Sequence, residues 1–175
     1  MNKKVIFGIV ALAIVVLTSS IWFVQYREKP PTPPIEPIYP EDWEKFVEDG
    51  PFPDKDVKKV ITLKKTIHAE GAIFEVAIEL KIKSTKFTDL KDIKEELRNE
   101  LNRSGLPILN ESTILVNNRE GYDLLAGTSD WKCRQVVFLA NGMAYMFKYS
   151  SQEIFYLTYE EVFDNFINSS VVNEI

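Results

Sequence analysis

One cysteine, one histidine and seven scattered glycines in 175 residues leave little material for several familiar chemistries. Cys133 has no second thiol to pair with, so no internal disulfide braces the chain. His68 stands alone, whereas catalytic zinc ordinarily takes three protein ligands with histidine prominent. No glycine-rich loop is present to cradle a phosphate. Basic charge is also in deficit. Residues 41–175 carry 17 Lys/Arg against 24 Asp/Glu, a net of −7 within a whole-chain −5. Nucleic-acid binding calls for a basic patch or stripe, so it is not expected.

What the chain does have begins with "VIFGIVALAIVVLTSSIWFVQY", Val5–Tyr26, a run without a single charge. As a helix it would span about 33 Å at 1.5 Å per residue, enough to cross the hydrocarbon core of a bilayer. Trp22 and Tyr26 stand where interfacial aromatic rings are favoured. Lys3 and Lys4 precede the run, and Arg27 and Lys29 follow it. The reading is a membrane anchor over residues 1–26, single-pass, with a cytoplasmic N-terminus and an extracytoplasmic C-terminal domain. The competing reading is a cleaved signal peptide with an apolar core at Val5–Leu17 and a small-residue site at Thr18–Ser20. Both export the remainder.

The segment after the run holds six of the nine prolines between Tyr26 and Trp43. Proline fixes φ and removes a backbone donor, so residues 27–40 are expected to be neither helix nor central strand. They read as an extended linker of about 40 Å at 3.1 Å per residue, leading to a globular domain over 41–175.

That domain has 45% apolar residues in the chain to draw on, and periodicity divides it clearly. Phe74, Val76, Ile78, Leu80 and Ile82 alternate with Glu75, Glu79, Lys81 and Lys83, which predicts a strand with one buried and one wet face. Val57–Ile67 and Ile73–Lys83 are expected to form a hairpin around His68–Ala72. Leu90, Ile93, Leu97 and Leu101 recur at helical spacing behind a Thr88/Asp89 cap, and Gly105 and Pro107 stop that helix. Ile108–Val116 and Tyr122–Thr128 read as strands joined by "NNREG". In "WKCRQVVFLANGMAYMFKY", Asn141-Gly142 supplies the positive φ values of a type I′ turn, and both faces of the hairpin are apolar. A last helix is expected to start at a Thr158/Glu161 capping box with a Leu157/Val162 staple, burying Tyr159, Val162, Phe163, Phe166 and Ile167. The expected class is α+β: a mostly antiparallel sheet of about six strands packed between helices.

In order and spacing these pieces resemble the PsbP-like family, which shares its fold with the Mog proteins. "IYPEDWEKF" (Ile38–Phe46) is similar to that family's opening strand and "VITLKK" to its next. "TKFTDLKDIKEELRNEL" resembles its middle helix. "ILNESTILVNNREGYDLLAGTS" resembles its strand–turn–strand, with Gly121-Tyr122 opening the second strand. "VVFLANGMAYMFKYSSQEIFYLTYEEVFDNFINSSV" resembles its closing hairpin and helix. The resemblance covers roughly residues 38–172. It implies an α/β/α sandwich and a non-enzymatic accessory module that binds or stabilises a partner protein. The best-known members are extrinsic subunits of photosystem II, but the anchor and linker imply another client, a membrane or extracytoplasmic protein.

Candidate chemistry is sparse. No catalytic, cofactor-binding or metal-binding residues are assigned, and an enzyme is not expected. His68 is expected to face outward at the hairpin mouth beside Glu70. Cys133 shares a strand face with Val137 and Leu139, and so reads as core. Glu120, Asp123, Asp130 and Glu153 would support hydrolysis only if two flanked one cleft. Lys58, Lys59, Lys64, Lys65, Lys81, Lys83 and Lys86 suggest either a docking patch for an acidic partner or anionic headgroups, or edge-strand protection. Asn102, Asn110 and Asn168 are glycosylation sequons if the domain is exported. An alternative function is a carrier or sensor holding a small apolar ligand between sheet and final helix.

Overall fold

The computed structural model describes residues 40–69 and 71–174, with side chains as far as Ser170. The elements run β1 Glu44–Glu48, β2 Val57–Ala69, β3 Ala72–Ser84, α1 Leu90–Ser104, β4 Ile108–Val116, β5 Arg119–Gly127, β6 Trp131–Ala140, β7 Met143–Gln152 and α2 Glu153–Glu174. The strands form one sheet in the order β1-β2-β3-β7-β6-β5-β4, and every neighbouring pair is antiparallel. Two meanders, β1–β3 and β4–β7, are thus joined by α1 and sealed where β7 pairs with β3.

The expected six strands are seven. The additional one, β1, lies in the segment that resembles a family opening strand. All five of its residues are exposed, so its burial carries no alternation that a sequence could display. Pairing alone defines it, from Glu44↔Lys64 to Glu48↔Val60. Trp43, which is buried, anchors it edge-on to Tyr159 at 5.7 Å.

Turn chemistry sets the hairpins. Asn141 (φ 53°) and Gly142 (φ 73°) close β6–β7 as expected. Asn117 (φ 50°) and Asn118 (φ 63°) do the same for β4–β5. Asparagine tolerates the left-handed region, so the connection is two residues rather than the five of "NNREG", and β5 begins at Arg119. The first hairpin is also tighter than expected. Ala69 pairs with Ala72, which leaves His68 inside β2 opposite Ile73.

The two sheet faces are covered by different helices. Asp89 caps α1 by accepting from the Lys91 N–H at 2.8 Å, and Gly105 ends it at φ 73°. Ile93, Leu97 and Leu101 then pack on Tyr122, Leu124, Ala126, Val137 and Ala144. On the opposite face Phe163, Phe166 and Ile167 of α2 pack on Ile61, Leu63, Val76, Ile78, Leu80, Val136, Phe138, Phe147 and Tyr149. The β6–β7 hairpin is therefore covered on both sides, as its sequence implies. Gly121 is required by close approach: a Cβ there would lie 2.5 Å from Cε1 of Phe138, whose ring is itself fully buried.

The last helix corrects the expected start. It begins at Glu153, so Thr158 lies within it and Leu157 is 80% exposed instead of stapling an end. Nothing between Glu153 and Thr158 breaks a helix, and the Glu153 N–H is satisfied by the Asp130 carbonyl at 3.0 Å. A tertiary acceptor replaces the local cap.

No helix among the described residues is long and apolar enough to cross a membrane. The expected anchor, Val5–Tyr26, and residues 27–39 of the linker lie outside the described residues.

Candidate functional site

Three groups of polar side chains stand out, and the first is internal. Arg134 on β6 shares a face with Val136 and Phe138, so its guanidinium reaches the α2 side of the sheet. It binds Asp123 of β5 through Nη2 at 2.8 Å and Nε at 3.1 Å, Asp164 at 2.9 Å and Glu160 at 3.3 Å, and lies 5.5 Å from the Phe163 ring centroid. Burial opposes the Arg134 charge, yet the Asp123 hydrogen bonds and the nearby carboxylates outweigh it and hold the guanidinium above its ordinary value. This cluster pins α2 to the sheet through a cation, and its carboxylates are committed.

The second group joins α1 to the β4 edge. Glu111 accepts from the Tyr122 hydroxyl at 2.5 Å, from Lys94 at 3.1 Å and from Arg98. The Tyr122 hydrogen bond, then Arg98 and Lys94, pull the Glu111 carboxyl from an ordinary 4.5 to about 2. Burial, and then Glu111, push the Tyr122 phenol upward. Lys94, Glu111 and Tyr122 line an open cleft of about 420 Å³ together with Asp89, Leu90 and Thr113. Because the folded value of Glu111 is depressed, its contribution to stability is complete above pH 4.5 and is lost as pH falls toward 2. Glu111→Gln is expected to flatten the acid limb of stability against pH in that window, read from urea midpoints. An unchanged slope contradicts this assignment.

The remaining candidates do not converge. His68 is exposed on β2, as expected. Cys133 is buried, and burial raises its thiol pKa, which disfavours the thiolate a nucleophile needs. Glu120 pairs opposite Leu115 on the α1 side of β5, whereas Asp123 lies on the α2 side beneath Arg134. Glu153 binds Lys132 at 3.2 Å. Asp130 meets Glu153 through the backbone, its carbonyl accepting from the Glu153 N–H at 3.0 Å, and the clefts that Glu120 lines include none of the other three acids. Nor is the space under α2 open for an apolar guest. Phe147–Phe166 at 5.8 Å, Tyr149–Phe163 at 5.5 Å and Tyr149–Tyr156 at 5.0 Å fill it, and burial pushes the Tyr149 phenol up to about 12. Among the sequons, Asn102 and Asn168 are exposed helix positions and Asn110 is an exposed position of β4.

The lysines scatter instead of forming one patch. Lys64 and Lys65 are consecutive in a strand and so face opposite sides. Lys65 reaches Asp42 and the Tyr159 ring on the α2 side. Lys83 is drawn to Glu96 of α1 at 2.7 Å, and Lys59 pairs opposite the core residue Ile82. Edge protection fits only some of them: β1 covers Val60–Lys64 alone, so Lys58, Lys59 and Lys65 lie on stretches of β2 without a β1 partner, whereas Lys81 and Lys83 lie on β3 between β2 and β7. Lys64, with Glu75 at 3.3 Å, and Lys81, with Glu79 at 3.6 Å, remain on one solvated surface alongside Thr62, Thr66 and His68. That surface exists because the apolar cluster beneath α1 draws only on α1, the residues flanking it and β4–β7. Among the described residues, no helix covers the β1–β3 half of the same face.

A seven-stranded antiparallel sheet with one helix on each face is an α/β/α sandwich, and a solved structure shows that the fold is PsbP-like. The solution structure of cyanobacterial PsbP (CyanoP) from Synechocystis sp. PCC 6803 is similar, with a TM-score of 0.51 at 16% identity over 75% of this chain and 82% of that one. A putative regulator of unknown function from Pseudomonas aeruginosa gives a TM-score of 0.47 at 11% identity over 75% of this chain and 86% of that one. No family model and no curated protein matches the chain.

Proposed function

We propose that this chain is a membrane-tethered, extracytoplasmic accessory module that binds a partner protein on the uncovered half of its sheet. The observation that carries this reading is the asymmetry of the α1 face. The helix seals β4–β7, while β2 and β3 present Thr62, Lys64, Thr66, Glu75, Glu79 and Lys81 on a hydrogen-bonded, seven-stranded base. A rigid surface of mixed charge suits selective docking, because opposite charges fix register and like charges exclude wrong partners. The uncharged run at Val5–Tyr26 and the prolines that follow give the tether and its reach.

Protease treatment tests the tether. In intact cells or right-side-out vesicles, residues 41–175 are expected to be digested. Survival there, with digestion only after lysis, would place the domain on the wrong side and reject this reading.

A further inference from the structure

The sheet has two free edges among the described residues, β1 and β4, and they differ in how well they are guarded. Proteins commonly protect an exposed edge with charge, proline or a very short strand. β1 is short and reads Glu-Lys-Phe-Val-Glu. Paired antiparallel with itself about Phe46, it would set Glu44 against Glu48 of the second copy, and like charges directly opposite are destabilising. β4 is nine residues long and reads Ile-Leu-Asn-Glu-Ser-Thr-Ile-Leu-Val, without lysine or proline. Its one charge, Glu111, is already neutralised by Lys94 and Arg98. Leu109 and Leu115 are 48% and 69% exposed on it.

We propose that β4 is a homodimerisation edge, on which a second copy of this chain pairs antiparallel about a two-fold axis through Ser112. In that register Leu109 lies opposite the second copy's Leu115 and Glu111 opposite Thr113, so no like charges meet, while Ile108, beyond the bulge, packs on the α1 side and takes no part in the match. The backbone meets the same requirement independently. The two-residue turn makes Val116↔Arg119 a mutually hydrogen-bonded pair, and alternation from there turns the N–H and C=O groups of Leu115, Thr113 and Glu111 away from β5. Pairing about Ser112 sets the free groups of Glu111 directly against those of Thr113 in the other copy. The bulge between Ile108 and Asn110 leaves Leu109 outside the β5 ladder and available to the partner. A two-fold contact of this kind is self-complementary and closed, so it stops at a dimer.

Ser112 would form a non-hydrogen-bonded pair with its counterpart, with Cα atoms about 4.5 Å apart, within the roughly 4.4–6.8 Å that a disulfide spans. The test uses the full chain carrying Ser112→Cys, oxidised mildly in detergent, with Phe46→Cys on β1 as the control for chance encounter in a micelle. Ser112→Cys is expected to form a covalent dimer about tenfold faster than the control, and adding Leu115→Lys is expected to remove that advantage. Leu115 is exposed, so the melting temperature should hold and exclude misfolding as the cause. Equal rates for the two cysteine variants, or one-copy mass for the wild-type chain by sedimentation at tens of micromolar, would overturn the proposal. Covalent adducts of Ser112→Cys with a different protein would overturn it too and assign the edge to another strand. A monomer that still docks its partner through β2–β3 rejects the dimer alone.

Discussion

Phe166→Asp is expected to abolish cooperative folding of the domain. Phe166 is fully buried on α2, with its ring 5.8 Å from Phe147 at 77°, and Phe147 in turn meets Phe138 edge-on at 6.1 Å. Removing a buried phenylalanine costs about 3–5 kcal/mol in lost transfer and packing. Aspartate adds an unpaired charge that must either be buried or protonated, or must expel the helix. The sum, about 5 kcal/mol or more, matches the whole stability of an ordinary domain. Circular dichroism should show no sigmoidal melt, or a midpoint lowered by tens of degrees. A melt like that of the parent protein would mean that α2 is not docked through this ring.

Arg134→Met is the second large effect. Asp123 is only 13% exposed and holds its partner by three hydrogen bonds, whereas Glu160 and Asp164 are 34% and 47% exposed and can rehydrate. The cost therefore concentrates on one stranded carboxylate, and breaking a buried pair on one side costs about 3–5 kcal/mol. Arg134→Lys should recover little, because a point charge cannot serve Asp123 and the two α2 acids at once. Arg134→Met with Asp123→Leu should recover much of the loss, since apolar replacement of a whole buried pair is often neutral. Urea midpoints distinguish these cases. A double variant as unstable as Arg134→Met alone would mean that the cation's role is to hold the α2 acids.

The parts legible in the sequence are those whose signal is local and agrees with their tertiary setting. Ile93, Leu97 and Leu101 on α1, the Asn141-Gly142 turn and the two apolar faces of β6–β7 are of this kind. The α2 start was hidden because its first N–H is satisfied by Asp130, a residue of the preceding β5–β6 connection, while Thr158 carries an attractive cap signature inside the helix. Asn117-Asn118 announces a two-residue turn as plainly as Asn141-Gly142 once asparagine is granted both left-handed positions. The polar groups depend on register. Arg134 meets acids 26 and 30 residues away, and Glu111 meets Tyr122 across a hairpin whose turn must first be placed. A lone charge in the apolar strand β4, with Lys94 and Arg98 spaced on one helix face, was the available signal for the second group. The lysines mislead for the opposite reason: they are neighbours in sequence, but strand parity sends Lys64 and Lys65 to different faces.

Site-specific photocrosslinking in intact cells tests docking through the uncovered sheet face most directly. A photoreactive residue in place of Thr66, exposed on β2, is compared with one in place of Leu157, which is 80% exposed on α2 across the sheet. The Thr66 position is predicted to yield one discrete adduct with a membrane or extracytoplasmic protein. The yield should fall with Lys64→Glu and Lys81→Glu and with rising salt, while Leu157 yields none. Adducts from Leu157 but not Thr66, or adducts with cytoplasmic proteins, would contradict the account.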